Sequence, residues 1–372
     1  MNIERKVGFD SLQTGSVDCN SPLLRYSDNP ILKPSDVNNI WTDPGIRVFS
    51  VHNAGVALYQ DYTIMLFRSH LRCGKSIIGI ARSSNGINGW KVDPTPALLP
   101  ATIDDSFAPG VDIDDQIEME AGGVEDPRIS KIDGTYAITY SAYHAHIKNR
   151  VRVCLATTTD FKTFVRHGPM LQTDMRNVVI FPEKFEYGKY VALFRPNDVT
   201  AGDVGGIFTQ IRIGFAEDWQ SGPWDISETP IVSTGFGPGS FSDKIGPGAP
   251  PLKTTEGWLN IFHGVRGTMD GNPYVLGVAL HDRNDPSKIQ LSSIPIHFPS
   301  KADCRLAETE YIHVPNVVFT CGAIRRNDGT VFIYYGGNDT VMNLAVTHED
   351  VLIELCRSYG QDPKTGEILY KL

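Results

Sequence analysis

Glycine and proline punctuate the whole chain, and the intervals between them are short runs of aromatic and β-branched residues. Such runs, closed by turn residues, predict β-strands. In Lys131-Ile132-Asp133-Gly134-Thr135-Tyr136 an Asp-Gly pair adds a strong hairpin signal. Helical periodicity is nearly absent. One short segment, His348–Cys356, with Glu349 and Asp350 near its start, predicts a helix. The pattern as a whole predicts an all-β protein.

The strand pattern also repeats. Ala54–Arg68, Asp126–Ala142, Phe181–Pro196, Gly248–Val265 and Gly322–Gly337 share one outline: an apolar strand, a polar or glycine turn, a second apolar strand. Each is followed by a run that ends in a small residue and a polar turn. The alanines of those runs, Ala81, Ala156, Ala216, Ala279 and Ala345, are spaced by 75, 60, 63 and 66 residues. A unit of that size holds four short strands, one blade of a β-propeller, so the repeat predicts a five-bladed β-propeller. The plainer alternative is a two-sheet sandwich with coincidental hairpins. A length of 372 residues exceeds the usual ~150 per domain, but single all-β domains do so routinely. The chain therefore reads as one propeller over 1–372, with 1–28 as an N-terminal extension and 357–372 as a C-terminal tail.

Composition narrows the function classes. With 34 Lys+Arg against 43 Asp+Glu the formal net charge is −9, which argues against nucleic acid or a polybasic membrane surface as partner. No run approaches the ~18 apolar residues of a membrane-spanning helix, and MNIERKVGFD lacks the apolar core of a signal peptide. Six cysteines, Cys19, Cys73, Cys154, Cys304, Cys321 and Cys356, lie far apart and form no CxxC pair. That is neither a disulfide framework nor a zinc site, so the expected setting is a reducing cytoplasm with no bound metal.

Radial packing of blades would bring equivalent points of different repeats to one axial pocket, so the hairpin ends carry the candidate chemistry. Asp126 stands in Gly123-Val124-Glu125-Asp126-Pro127-Arg128, where Asp-Pro by itself is an ordinary turn element. Arg68, Arg195 and His263 each end an apolar strand (IMLFR, VALFR, NIFH), and Arg176 and Lys244 precede the third and fourth hairpins. Any one of them is explained by a surface ion pair or a strand-end snorkel. Several cations gathered on one axis would repel unless an anion sat among them, and Arg forks match phosphate or carboxylate oxygens. An anionic ligand facing one acidic residue is the physical reading. Gly235-Phe236-Gly237-Pro238-Gly239 is interrupted by proline and reads as a loop, not a phosphate cradle.

The segments HNAG, GVEDPRISKIDGTYAITYSAY, FPEKFEYGKYVALFRP, GPGAPPLKTTEGWLNIFHGV and YYGGND resemble the mannoside phosphorylases of glycoside hydrolase family 130, in the family's order and from about Asn29 to Cys356. The resemblance implies a five-bladed β-propeller that cleaves a β-mannosidic bond with inorganic phosphate, inverting the anomeric carbon and releasing α-mannose 1-phosphate. It places the proton donor on Asp126 and the phosphate-binding residues on Arg176, Arg195, Lys244 and His263. Asn53, Arg68 and Asp339 fall on positions that hold the mannosyl unit, and Arg128 and Tyr143 join the pocket. It further implies no cofactor beyond phosphate as co-substrate, a β-mannooligosaccharide as partner, and a proton relay through the mannosyl 3-hydroxyl. A homo-oligomer is compatible with it, and subunit contacts could complete the acceptor pocket.

That set is chemically coherent. Inverting glycosidases pair a general acid with a base that activates water. Phosphate is already nucleophilic, so the base is dispensable and cationic positioning replaces it. Relatives in the same family are β-1,2-mannosidases that lack the cations and use glutamate; Glu125 and Glu183 are the candidates here, each with a structural explanation inside its motif. Five-bladed propellers acting on fructosides or arabinans carry a short Asp-Pro motif that Trp41-Thr42-Asp43-Pro44 faintly resembles, but they would not explain the cations. A non-catalytic sugar-binding propeller would use exposed aromatics, and Trp90, Trp219, Trp224 and Trp258 are expected in blade cores instead. The acidic segment Asp104–Glu120 is a candidate for the acceptor side and, more simply, a solvated loop. Linkage, β-1,2 or β-1,4, is open at this level.

Overall fold

Each of the five repeats forms one antiparallel sheet, and the five sheets are the blades of a propeller. The computed structural model describes residues 3–147, 150–197, 200–201, 206–207, 209–234, 239–268, 271–307 and 310–371; most of the Gly235–Gly239 run lies outside them. From axis to rim, blade 1 is His52–Tyr59, Tyr62–His70, Ser76–Ser83 and Lys91–Val92. Blade 2 is Gly123–Ile132, Thr135–Tyr143, Val151–Thr158 and Val165–Pro169, with Ser106–Phe107 added outside in parallel. Blade 3 is Met175–Ile180, Tyr190–Pro196, Arg212–Ala216 and Asp225–Ile226. Blade 4 runs through Trp258–Val265, Tyr274–His281 and Ile289–Ser292 to Gly360–Gln361 at the rim. Blade 5 is Val318–Arg325, Thr330–Gly337 and Val341–His348, with Leu24–Arg25 as its fourth strand.

The five alanines of the repeat all lie buried in third strands, where a small side chain lets neighbouring blades approach. Two hairpins differ from expectation. In blade 3 the innermost strand is Met175–Ile180, ahead of the Phe-Pro-Glu-Lys motif, and 181–189 form the connection. In blade 4 the inner edge is split into Lys244–Pro247 and Leu252–Lys253, both paired to Trp258–Val265. The prolines at 247, 250 and 251 have no N–H to give the ladder, so pairing breaks there. Arg176 and Lys244 thus stand on innermost strands and not ahead of them.

Both chain ends are built into blades. Leu24 and Arg25 pair with Val346 and Ala345, and the buried Asn29 amide donates to Leu344 O and accepts from Leu344 N. Arg25 also pairs with the buried Asp303 at 2.8 Å. The segment expected as an extension therefore contains the closing strand of the ring, and the expected tail contributes a rim strand to blade 4. The predicted helix is Glu349–Ser358, capped by His348. The acidic segment 104–120 is not a solvated loop throughout: Ile113–Glu120 is a helix capped by Asp112, and Glu120 is fully buried between Tyr140 and Arg166. A carboxylate at an N-cap and acids in the first turn favour that helix, and the segment runs from the outer edge of blade 2, where Ser106 and Phe107 pair with Val165 and Arg166, to Glu120 against Tyr140 of the second strand. Trp219, Trp224 and Trp258 are buried and Trp90 is half-buried, as expected of core residues.

At the axis the innermost strands nearly touch. A Cβ on Gly55 of blade 1 would stand 2.7 Å from the Pro127 carbonyl of blade 2. Only glycine fits there, which is why HNAG ends as it does.

Candidate active site

The same irregularity recurs at the start of several innermost strands. Pairing slips by a residue after His52 in blade 1, between Glu125 and Arg128 in blade 2, and after Arg176 in blade 3. At each slip the first residue has a left-handed backbone: Asn53 at φ 49°, Asp126 at φ 50° and Asn177 at φ 56°. Such bulges bend the strand and re-aim a side chain, and Asn and Asp tolerate the left-handed region best among non-glycine residues. The three blades therefore deliver three short polar side chains to one place. Blade 5 adds Asp339 from the turn between its second and third strands, where Asn338 and Asp339 are both left-handed.

Asp126, only 9% exposed, accepts from Asn53 Nδ2 and from Arg68 Nη1, both at 3.0 Å. The other terminal nitrogen of Arg68 donates to Glu125 Oε1 at 2.7 Å and to His70 Nε2 at 2.7 Å. Ser76 Oγ also donates to Glu125 Oε1 at 2.7 Å. Burial opposes ionisation of the Asp126 carboxyl, but Arg68, Arg128 and the Asn53 amide outweigh it and hold it below the usual carboxylate range. Asp339 goes the other way: burial, reinforced by Asp126 and Glu125 against the pull of Arg68, pushes its carboxyl up to about 7. One site thus holds one carboxyl kept ionised and another kept protonated below neutrality.

The cations gather on the blades opposite. Arg176 and Arg195 face each other directly across the first two strands of blade 3, a like-charge pairing that sheets ordinarily avoid. Arg195 is 7% exposed, and burial with Arg176 beside it pushes its guanidinium down to about 10. Lys244 at the inner edge of blade 4 is lowered by burial, then by Arg195 and Arg176. The Arg176 guanidinium lies 5.2 Å from the centre of the Tyr143 ring, and burial raises the Tyr143 hydroxyl. Among the described residues none of the three cations has a carboxylate ion-pair partner, whereas Arg68 has two. Such an arrangement is unfavourable until an anion enters it.

One bridge joins the two halves. Arg128, almost wholly buried, donates from Nε to Gly248 O (2.8 Å), from Nη1 to Asp126 O (2.9 Å) and from Nη2 to Asn177 Oδ1 (3.0 Å). Asn177 Nδ2 donates to His263 Nε2 at 3.3 Å, and Arg195 Nη1 donates to the same nitrogen at 3.0 Å. A nitrogen that accepts twice carries no proton, so His263 is a neutral imidazole, in keeping with the strong lowering by burial and then by Arg195 and Arg128. Two expectations are refined accordingly. His263 does not contribute charge to an anion; fully buried, it aims Arg195. Arg128 spends its donors on blades 2, 3 and 4, and acts as the brace of the pocket floor.

Sequence reasoning missed Asn177, His70 and the engagement of Glu125. Asn177 follows Arg176 ahead of the third hairpin as the sequence outlines it; aligning Arg176-Asn177-Val178 with His52-Asn53-Ala54 and Glu125-Asp126-Pro127 places it at the bulge. Glu183, the other candidate base, is on an exposed turn paired with Lys253. Among the described residues, Asn53 Oδ1 and Arg195 Nε are buried without a hydrogen-bond partner.

A family model described as β-1,4-mannooligosaccharide phosphorylase, Glyco_hydro_130, matches residues 23–358. A 1,2-β-oligomannan phosphorylase from Thermoanaerobacter sp. (strain X514) is 33% identical over 87% of this chain and 96% of its own. A β-1,2-mannobiose phosphorylase from the same organism is 32% identical over 88% and 98%. Among solved structures, that of β-1,2-mannobiose phosphorylase from Listeria innocua in complex with β-1,2-mannobiose superposes with a TM-score of 0.73 at 26% identity, covering 90% of this chain and 99% of the other. With a ring of five blades, an acidic cluster facing a cluster of cations across its axis, and a family match over most of its length, this chain belongs to glycoside hydrolase family 130.

Proposed function

We propose that the protein is a β-mannoside phosphorylase that transfers a mannosyl unit to inorganic phosphate with inversion, giving α-mannose 1-phosphate. The observation that carries this reading is the division of the axial pocket: Arg176, Arg195 and Lys244 on blades 3 and 4, without counter-carboxylates among the described residues, and Asn53, Arg68, Asp126 and Asp339 on blades 1, 2 and 5. A phosphate held by the three cations would attack the anomeric carbon from one side while Asp126 serves the leaving oxygen on the other. Phosphate and side chains supply all the chemistry; no cofactor enters it. Asn53 Oδ1 and the protonated Asp339 offer an acceptor and a donor to hydroxyls of the mannosyl unit.

The Asp126 carboxylate suits the synthetic direction, in which it takes a proton from an acceptor. Phosphorolysis needs that proton in place, either on Asp126 directly or through the mannosyl 3-hydroxyl as the resemblance implies. Entry of an anion and exclusion of water by the sugar both raise a carboxyl, so binding itself prepares the acid. A hydrolase would need a free base. Glu125 is occupied by Arg68 and Ser76, which favours phosphate over water.

For linkage we propose β-1,2, the linkage in the names of the two relatives at 33% and 32% identity. The test is incubation with β-1,2- and β-1,4-mannobiose, each with and without phosphate. Mannose 1-phosphate formed only with phosphate, and faster from the β-1,2 substrate, is expected. Free mannose at equal rates in both conditions would mean a hydrolase, and no turnover a binding protein.

A further inference from the structure

In-line displacement fixes where the leaving sugar must go. With phosphate on the side of blades 3 and 4, the departing acceptor lies toward blades 5 and 1. What stands there is a short ridge leading into blade 5. His313 N donates to Thr340 Oγ1 at 2.9 Å, and Val314 N donates to Asn338 O at 3.1 Å. The ridge is therefore tied to the turn that delivers Asp339. On its other side the His313 ring packs on His70 at 4.6 Å, the residue that accepts from Arg68. Phe49 stacks on His70 at 5.5 Å and meets the edge of Tyr311 at 5.1 Å. A continuous line of rings thus runs from Arg68 outward through His70 to His313 and Tyr311.

The outer end of that line is open. Tyr311 is 54% exposed, and Ile312 and Val314 are exposed beside it, although a hydrogen bond of 3.0 Å from the Tyr311 hydroxyl to His313 Nδ1 would fix the ring. A rigid, exposed, amphipathic ring next to a sugar site has the properties of a sugar-stacking platform: an apolar face for the C–H side of a pyranose and a polar edge for its hydroxyls.

We propose that Tyr311–Val314 forms the acceptor wall, with His313 against the leaving sugar and Tyr311 against the next unit outward, so that this ridge selects a β-mannooligosaccharide over a monosaccharide acceptor. The proposal rests on the phosphorylase reading. It gives the acceptor side to the ridge between blades 4 and 5, not to the acidic segment of blade 2.

The synthetic reaction tests it, with α-mannose 1-phosphate as donor, mannose or β-1,2-mannobiose as acceptor, and phosphate release as the readout. Tyr311→Ala should raise the KM for mannobiose roughly three- to tenfold, with a smaller change for mannose and the donor KM held within about twofold. Tyr311→Phe, which keeps the ring, should restore the mannobiose KM. An unchanged mannobiose KM in Tyr311→Ala, or a donor KM that rises in step with it, overturns the proposal while wild-type turnover still upholds the phosphorylase. A wild-type protein that releases no phosphate with either acceptor overturns both.

Discussion

Asp126 occupies a backbone conformation that costs most residues about 1–2 kcal/mol, less for Asp and Asn. Asn at this position therefore keeps both the bulge and the shape while removing the proton. Asp126→Asn should lower phosphorolysis by about 10²–10⁴ and leave the fold intact; retained activity would remove it as the acid. On the opposite side, Arg195→Ala or Lys244→Ala removes a charged donor and should raise the phosphate KM roughly ten- to hundredfold, with little change in the sugar KM, as initial rates at varied phosphate will show. Asp339 has a pH signature. Its carboxyl, raised to about 7 among Arg68, Glu125 and Asp126, binds its proton more tightly folded than unfolded. Its contribution to stability is full below the ordinary carboxyl range and is lost as pH rises through about 7. Asp339→Asn should flatten that decline, so melting curves of variant and wild type should diverge between pH 5 and 8 in the variant's favour, even as sugar binding weakens.

At the scale of strands, the bulge is the device that turns a structural repeat into a site. HNAG and EDPR were legible because short polar residues beside Gly or Pro are turn signals. The bulge at Asn177 was not, because a slip in register is a property of two paired strands and leaves no mark on one. The same reason hid the blade 3 inner strand, where Met175–Ile180 reads as an apolar run with no partner in view. Blade 4 offers a test of how tightly these strands position the cations. A Cβ on Gly246 would meet Arg195 Cδ at 2.6 Å and His263 Cε1 at 2.7 Å. Gly246→Ala should therefore displace Arg195 and raise the phosphate KM about tenfold while the acceptor KM stays constant. Equal phosphate KM values would show that Arg195 can move without loss.

In the whole molecule, ring closure depends on a strand that comes from the far end of the chain. Leu24–Arg25 completes blade 5, Arg25 reaches the buried Asp303, and Val7, Phe9 and Val17 of the preceding hairpin are in the core shared by blades 5 and 1. Deleting residues 1–28 should abolish cooperative melting or lower the midpoint by about 10 °C or more, a far larger effect than trimming a loop; an unchanged midpoint would show that the ring closes without it. The Arg25–Asp303 pair adds an acid limit. Although burial opposes it, His297 and Arg25 hold the Asp303 carboxyl far below its ordinary range, so its stabilisation is present at neutral pH and lost on strong acidification.

The sequence by itself determined the strands, their fivefold recurrence, the closing glycines and the chemical types at the hairpin ends, because alternation, turn residues and small-residue positions are local properties. The tertiary structure alone decided which of those ends face one another, because residues some sixty positions apart meet only through the stacking of blades. It made His263 a neutral acceptor, Arg128 a brace and Asn177 their link, since protonation and hydrogen bonding depend on neighbours supplied by other blades. The acceptor side proposed at Tyr311–Val314 is likewise a tertiary property, since the direction opposite an attacking phosphate exists only in three dimensions.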